Sequence, residues 1–188
     1  MILNGYINNK TKLKEYLNTI IDDHRTGQNY EIRQLSKFPS GGLKHLLYYK
    51  LLKMKDNNIN FYLYISNDIE QYFNKFDIKL YRDISKLFGI FIDNAIEAAK
   101  ESKIKEIDLD VSKDDNYINI SISNSINCNC NTDNIGKRKY TTKGFGHGYG
   151  LSIVKDIISK NNTLEVVTDK SKDKFTQVIL IDIKNNSK

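Results

Sequence analysis

The chain has 188 residues, of which 39% are hydrophobic and 28% charged, and its formal net charge is +6. That length suits one ordinary domain, or one domain with a short helical appendage, and the balance is that of a globular chain rather than a disordered or membrane-embedded one. No apolar run approaches the roughly eighteen residues of a spanning helix, and Met1 is not followed by a secretory signal pattern, so a cytoplasmic location is expected. The positive charge favours an anionic partner, but the basic residues are spread along the chain rather than gathered in one stripe, so nucleic acid is not the expected one.

Two segments open the chain with helical periodicity. "KTKLKEYLNTIIDD" places Leu13, Tyr16, Leu17, Ile20 and Ile21 at helix spacing, and "GLKHLLYYKLLKMK" does the same with Leu43, Leu46, Leu47, Leu51 and Met54. Between them lies the only proline, Pro39, followed by Ser40, Gly41 and Gly42, a break that should interrupt or bend the second helix near its start. The pair reads as a helical hairpin. "INFYLYIS" is rich in aromatic and β-branched residues and predicts a strand.

The strongest periodic signal follows in "KLYRDISKLFGIFIDNAIEAAKES". Leu80, Ile84, Leu87, Phe88, Phe91, Ile92, Ala95, Ile96 and Ala99 form one apolar stripe. "KEIDLDVS" and "NYINISIS" alternate apolar and polar residues around the turn-forming "KDDN", which predicts a β-hairpin. After Ser125 the pattern gives way to a polar, Asn-rich stretch up to Gly146, long enough to be a functional lid or a disordered loop. A helix in "GYGLSIVKDIISKN" and strands in "TLEVVT" and "FTQVILIDI" complete the chain. The order predicts an α+β fold: a two-layer α/β sandwich whose mixed, mostly antiparallel sheet is covered by helices on one face.

Three features bear on chemistry. Gly146, Gly148 and Gly150 stand at a helix start, where backbone N–H groups and the helix dipole suit a phosphate, with Arg138, Lys139 and Lys143 just upstream. Taken alone, a flexible glycine-rich loop explains them equally well. The pattern is neither a P-loop, since no Gly-Lys-Ser/Thr follows, nor a dinucleotide fingerprint, since no strand precedes it. In "IDNAIEAA", Asp93, Asn94 and Glu97 offer oxygen ligands on a rigid helix, suited to a Mg²⁺ completed by water and substrate phosphates; an ordinary solvated face is the alternative. Cys128 and Cys130, one residue apart, are too close for an easy mutual disulfide and read as reduced bystander thiols.

Together, "DNAIEAA", a strand ending in "SISNS", then "YTTKG" and "GHGYGLSIV" resemble, in order and spacing, the nucleotide-binding boxes of the GHKL superfamily of ATPases and histidine kinases. More narrowly they resemble the AgrC-type sensor histidine kinases of peptide quorum sensing, over nearly the whole chain. The resemblance implies a Bergerat-type ATP-binding domain over about residues 58–188, preceded in 1–57 by a helical hairpin that pairs with its twin. It implies ATP and Mg²⁺ as cofactors, a homodimer, a response regulator as protein partner, and contact with a membrane only through a sensor region absent here.

Carried over residue by residue, the resemblance implies that Asn94 holds Mg²⁺ against the phosphates. Asn124 would stand where most of the superfamily has an Asp that accepts the adenine amino group, and its side-chain carbonyl can make the same bond. Thr142, Lys143 and Gly144 would belong to the lid, with Lys143 as a cationic contact. Gly146, His147, Gly148, Gly150 and Leu151 would pass the phosphates beneath it.

There are departures. Four residues before Asn94, where the hydrolysing branch carries a water-activating Glu, this chain has Ile90, so phosphate transfer to a histidine is expected over hydrolysis. The glycines that normally follow the adenine-binding residue are missing from "NSINC". Neither His24 nor His45 has the family's phosphoacceptor box around it, and His147 lies among the lid glycines, so the accepting histidine is expected outside this sequence. Two rival classes are a non-catalytic GHKL module that binds a partner protein, and a basic DNA-binding protein.

Overall fold

The computed structural model describes residues 30–38, 41–127 and 149–184. In chain order the elements are α1 (Tyr30–Ser36), α2 (Gly42–Asp56), β1 (Asn60–Ile65), α3 (Ile69–Phe73), α4 (Ile78–Glu101), β2 (Glu106–Lys113), β3 (Tyr117–Ser125), α5 (Tyr149–Ser159), β4 (Leu164–Lys170) and β5 (Lys174–Asp182). The strands form one mixed sheet in the order β1-β2-β3-β5-β4. β1 runs parallel to β2 and every other pair is antiparallel.

The long amphipathic helix organises this architecture. α4 starts where Asp77 Oδ1 accepts a hydrogen bond from the Leu80 backbone N–H at 2.6 Å, a side-chain N-cap. From there the predicted stripe holds throughout, and all nine of its apolar residues are buried. They meet the alternating inner positions of the sheet: Leu63 and Ile65 on β1, Ile107, Leu109 and Val111 on β2, Ile118, Ile120 and Ile122 on β3, Ile179 and Ile181 on β5. The hairpin turn is closed by Asp114, whose carboxylate accepts from the backbone N–H groups of Asn116 and Tyr117 at 2.8 Å each. Those two bonds hold its carboxyl below the usual aspartate range.

α2, which periodicity assigns to the N-terminal hairpin, buries Leu43, Leu47 and Met54 in the same core. It lies alongside α4 in a parallel sense: Leu43 N–H donates to the Tyr81 hydroxyl at 3.1 Å, Leu46 lies against Gly89, and Lys50 pairs with Asp93. Gly41, just before α2, has φ +123, a left-handed conformation that favours glycine, and a Cβ there would come within 3.2 Å of the Tyr81 hydroxyl.

Two short helices are absent from the periodicity reading. α1 and α3 have seven and five residues, too few for a helical period to stand out. α1 guards the edge strand β1, where the Gln34 side-chain oxygen accepts from the Ile65 N–H at 2.9 Å and Lys37 Nζ donates to the Ile65 carbonyl at 3.3 Å. The helix expected over residues 10–23 lies outside the described residues.

Candidate functional site

Three elements carry the described candidate residues. The middle of α4 contributes Asp93, Asn94 and Glu97, the end of β3 contributes Asn124, and the start of α5 contributes Gly150 and Leu151.

Helix geometry separates the three polar residues of α4. Asn94 is exposed while Asp93 and Glu97 are half-buried, and the next residues, Ala95 and Ile96, return to the core. Asp93 is already engaged: Lys50 Nζ lies 2.7 Å from each of its carboxylate oxygens, and Lys53 Nζ lies 3.7 Å from one of them. Asp93 is therefore an ion-pair partner of Lys50. Among the described residues no group of three or more His, Cys, Asp or Glu gathers. One exposed amide oxygen on a rigid helix fits a Mg²⁺ held mainly by phosphates and water, and does not make a standing protein metal site.

Asn124 is 4% exposed, opposite Ile107 on β2 and Phe175 on β5. Its Nδ2 donates to the Ser125 carbonyl at 3.0 Å. That bond orients the amide and leaves Oδ1 to accept a hydrogen bond, the polarity an adenine amino group requires. The end of β3 is pinned to the end of α4 by a buried hydroxyl network. Ser125 and Ser102 are 2.6 Å apart through their Oγ atoms, Glu106 N–H donates to Ser125 Oγ at 2.9 Å, and Lys105 N–H donates to Ser102 Oγ at 3.0 Å. Asn127 adds a bond from its Nδ2 to the Glu101 carbonyl at 2.8 Å. The helix bearing Asn94 and the strand bearing Asn124 thus form one unit.

Gly150 has a packing reason for being glycine. A Cβ there would lie 3.1 Å from Cγ2 of Ile90, so α5 approaches α4 at the position where the hydrolysing branch of the resembling superfamily has its Glu. Leu151 is half-buried, and Val154 and Ile157 enter the core. Thr142, Lys143, Gly144, Gly146, His147 and Gly148 lie outside the described residues, as do Arg138, Lys139, His24 and both cysteines. His45 is on the exposed side of α2.

Lys50, Ser102 and Ser125 were not singled out from sequence. For Lys50 a signal existed: with Leu43, Leu47 and Met54 it completes the buried face of α2, and a lysine on an apolar stripe needs a carboxylate partner. The two serines carry no such mark, because their pairing depends on residues 23 apart in the chain.

A profile of the GHKL domain family matches residues 80–182. Among solved structures, the catalytic domain of the histidine kinase ThkA is similar at 20% identity and a TM-score of 0.57, over 74% of this chain and 89% of that one. The Acinetobacter baumannii histidine kinase AdeS is similar over 92% of this chain and 84% of its own, at 17% identity and a TM-score of 0.53. The mycobacterial sensor histidine kinase MprB is similar over 73% of this chain and 92% of its own, at 14% identity and a TM-score of 0.50. These likenesses show a shared fold. No curated protein sequence matches the chain.

Proposed function

The chain belongs to the GHKL domain family, and from that premise we propose that it is the ATP-binding catalytic region of a two-component sensor histidine kinase of the AgrC type. The observation that carries the reading is the joint placement of an exposed Asn94 on α4 and a buried, oriented Asn124 on β3, locked together by the Ser102–Ser125 network.

In this proposal Asn124 Oδ1 accepts from the adenine amino group, and Asn94 holds Mg²⁺ at the phosphates. When bound, Mg²⁺ neutralises the charge that develops on the transferring phosphoryl group. Lys143 and the backbone N–H groups around Gly146, Gly148 and Gly150 bind the phosphates, with Thr142, Gly144, His147 and Leu151 beside them, and the lid keeps water out. Ile90 supplies no base to activate water, which favours transfer to a histidine over hydrolysis.

The accepting histidine, the response regulator and a membrane sensor region belong to the rest of the signalling system, and quorum sensing is the signalling class proposed. Among the described residues no helix is long and apolar enough to cross a membrane, and a cytoplasmic location remains part of the proposal. The working division is residues 1–57 for pairing with a twin and 58–188 for nucleotide; α2 then serves both, with one face in the core and His45, Tyr49 and Lys53 exposed on the other.

The test is Asn94→Ala. Because Asn94 is exposed, the variant should melt within about 0.5 kcal/mol of the parent, as surface substitutions do. It should lose the Mg²⁺-dependent part of its affinity for an ATP analogue in equilibrium dialysis. An unaltered Mg²⁺ dependence contradicts the assigned role.

A further inference from the structure

We propose that Lys50 is a positioning residue for the nucleotide site: its ion pair with Asp93 fixes the turn of α4 that presents Asn94 and ties that turn to α2. The inference rests on the nucleotide reading above and adds a residue to it.

The geometry is specific. Lys50 is 6% exposed, on the core-facing side of α2, and its ammonium lies 2.7 Å from both oxygens of Asp93. A buried ammonium is tolerated only when paired, so this contact is a requirement of the fold of α2 against α4. Lys53 approaches the same carboxylate at 3.7 Å, and the Tyr49 ring centroid is 5.6 Å from Lys50 Nζ. Asp93 immediately precedes Asn94 in the same helical turn, so a rotation or slide of α4 that breaks the pair also moves the Asn94 amide.

The Tyr81 hydroxyl at the start of α2 and Lys50 farther along hold the two helices side by side.

The experiment compares the full chain with Lys50→Met, which keeps an apolar stem on the buried face, and with the charge reversal Lys50→Glu/Asp93→Lys. Affinity for a non-hydrolysable ATP analogue is measured by titration with and without Mg²⁺, alongside thermal melting. Lys50→Met should weaken Mg²⁺-dependent binding about tenfold, the scale seen when the support of a metal-holding group is removed. Mg²⁺-free binding should change less, and the reversal should recover part of the loss. If Lys50→Met fails to fold, Asp93→Asn, which keeps the size of the side chain, serves in its place.

Equal weakening with and without Mg²⁺, tracking the loss of melting temperature, would make the pair merely structural and overturn the inference. So would a Lys50→Met variant that binds like the parent, while leaving the nucleotide reading intact. A parent chain that binds no nucleotide would sink both.

Discussion

Gly150 illustrates how two opposing terms at one residue can be weighed. Alanine in place of glycine inside a helix gains up to about 1 kcal/mol of propensity. The added Cβ, however, would stand 3.1 Å from Ile90 Cγ2, tighter than normal contact. Overpacking costs about 1–3 kcal/mol, so Gly150→Ala should destabilise the chain by about 1 kcal/mol net. In an Ile90→Ala background the obstructing methyl is gone, and the same substitution should become neutral or stabilising. A thermal-denaturation double-mutant cycle reads this directly, and additive effects would remove the close approach as the reason for the glycine. Ser125 makes a comparable prediction. Its hydroxyl is buried and meets both Ser102 Oγ and the Glu106 N–H; Ser125→Ala takes the acceptor from the Glu106 N–H, while Ser102 Oγ keeps its bonds to the Ala99 carbonyl and the Lys105 N–H, and should cost about 1–3 kcal/mol in denaturant unfolding. A loss under half of that would mean the network relaxes around the gap.

Among the elements, α4 does most of the organising, and its start and its neighbours can be tested separately. Asp77→Ala removes the side-chain acceptor of the Leu80 N–H and should cost about 1 kcal/mol of stability. On the outer side of the sheet, Lys174 of β5 reaches across β3 to Asp108 and Glu106 on β2, at 2.8 and 3.6 Å. The hydrogen bond to Asp108 is the main cause that holds the lysine pKa above its ordinary 10.5. A raised lysine pKa means that the folded state binds the proton more tightly than the unfolded chain. The contribution is therefore complete at neutral pH and is lost as pH climbs past 10.5 through the raised value. Lys174 is partly solvated, so the effect is small. Melting temperature measured upward from pH 9 should fall slightly more steeply in the parent than in Lys174→Met, and parallel curves would contradict the assignment.

At the scale of the whole molecule, the sequence was most informative where one face of an element is buried along its length. The α4 stripe, the alternation of β2 and β3 and the start of α2 all follow from that simple partition. α1 and α3 escaped because a turn or two of helix has no period to detect, and their placement comes from contacts with β1 and the core. For the candidate site, the residue types of Asn94 and Asn124 were readable through the resemblance, but their support was not. Lys50, Ser102 and Ser125 act across long sequence separations that no local pattern encodes. Asp93, grouped from sequence with the ligand oxygens, is paired with Lys50, a contact between facing helices that no local pattern shows. The lid residues Thr142 to Gly148 stand on the resemblance alone.

The central claim is that this fold holds ATP with Mg²⁺ between Asn94 and Asn124. Isothermal titration of the purified chain with a non-hydrolysable ATP analogue, with and without Mg²⁺, tests it most directly. The account predicts saturable binding that strengthens when Mg²⁺ is present. Absence of binding at millimolar nucleotide would contradict it and leave a GHKL module whose work is to bind a partner protein.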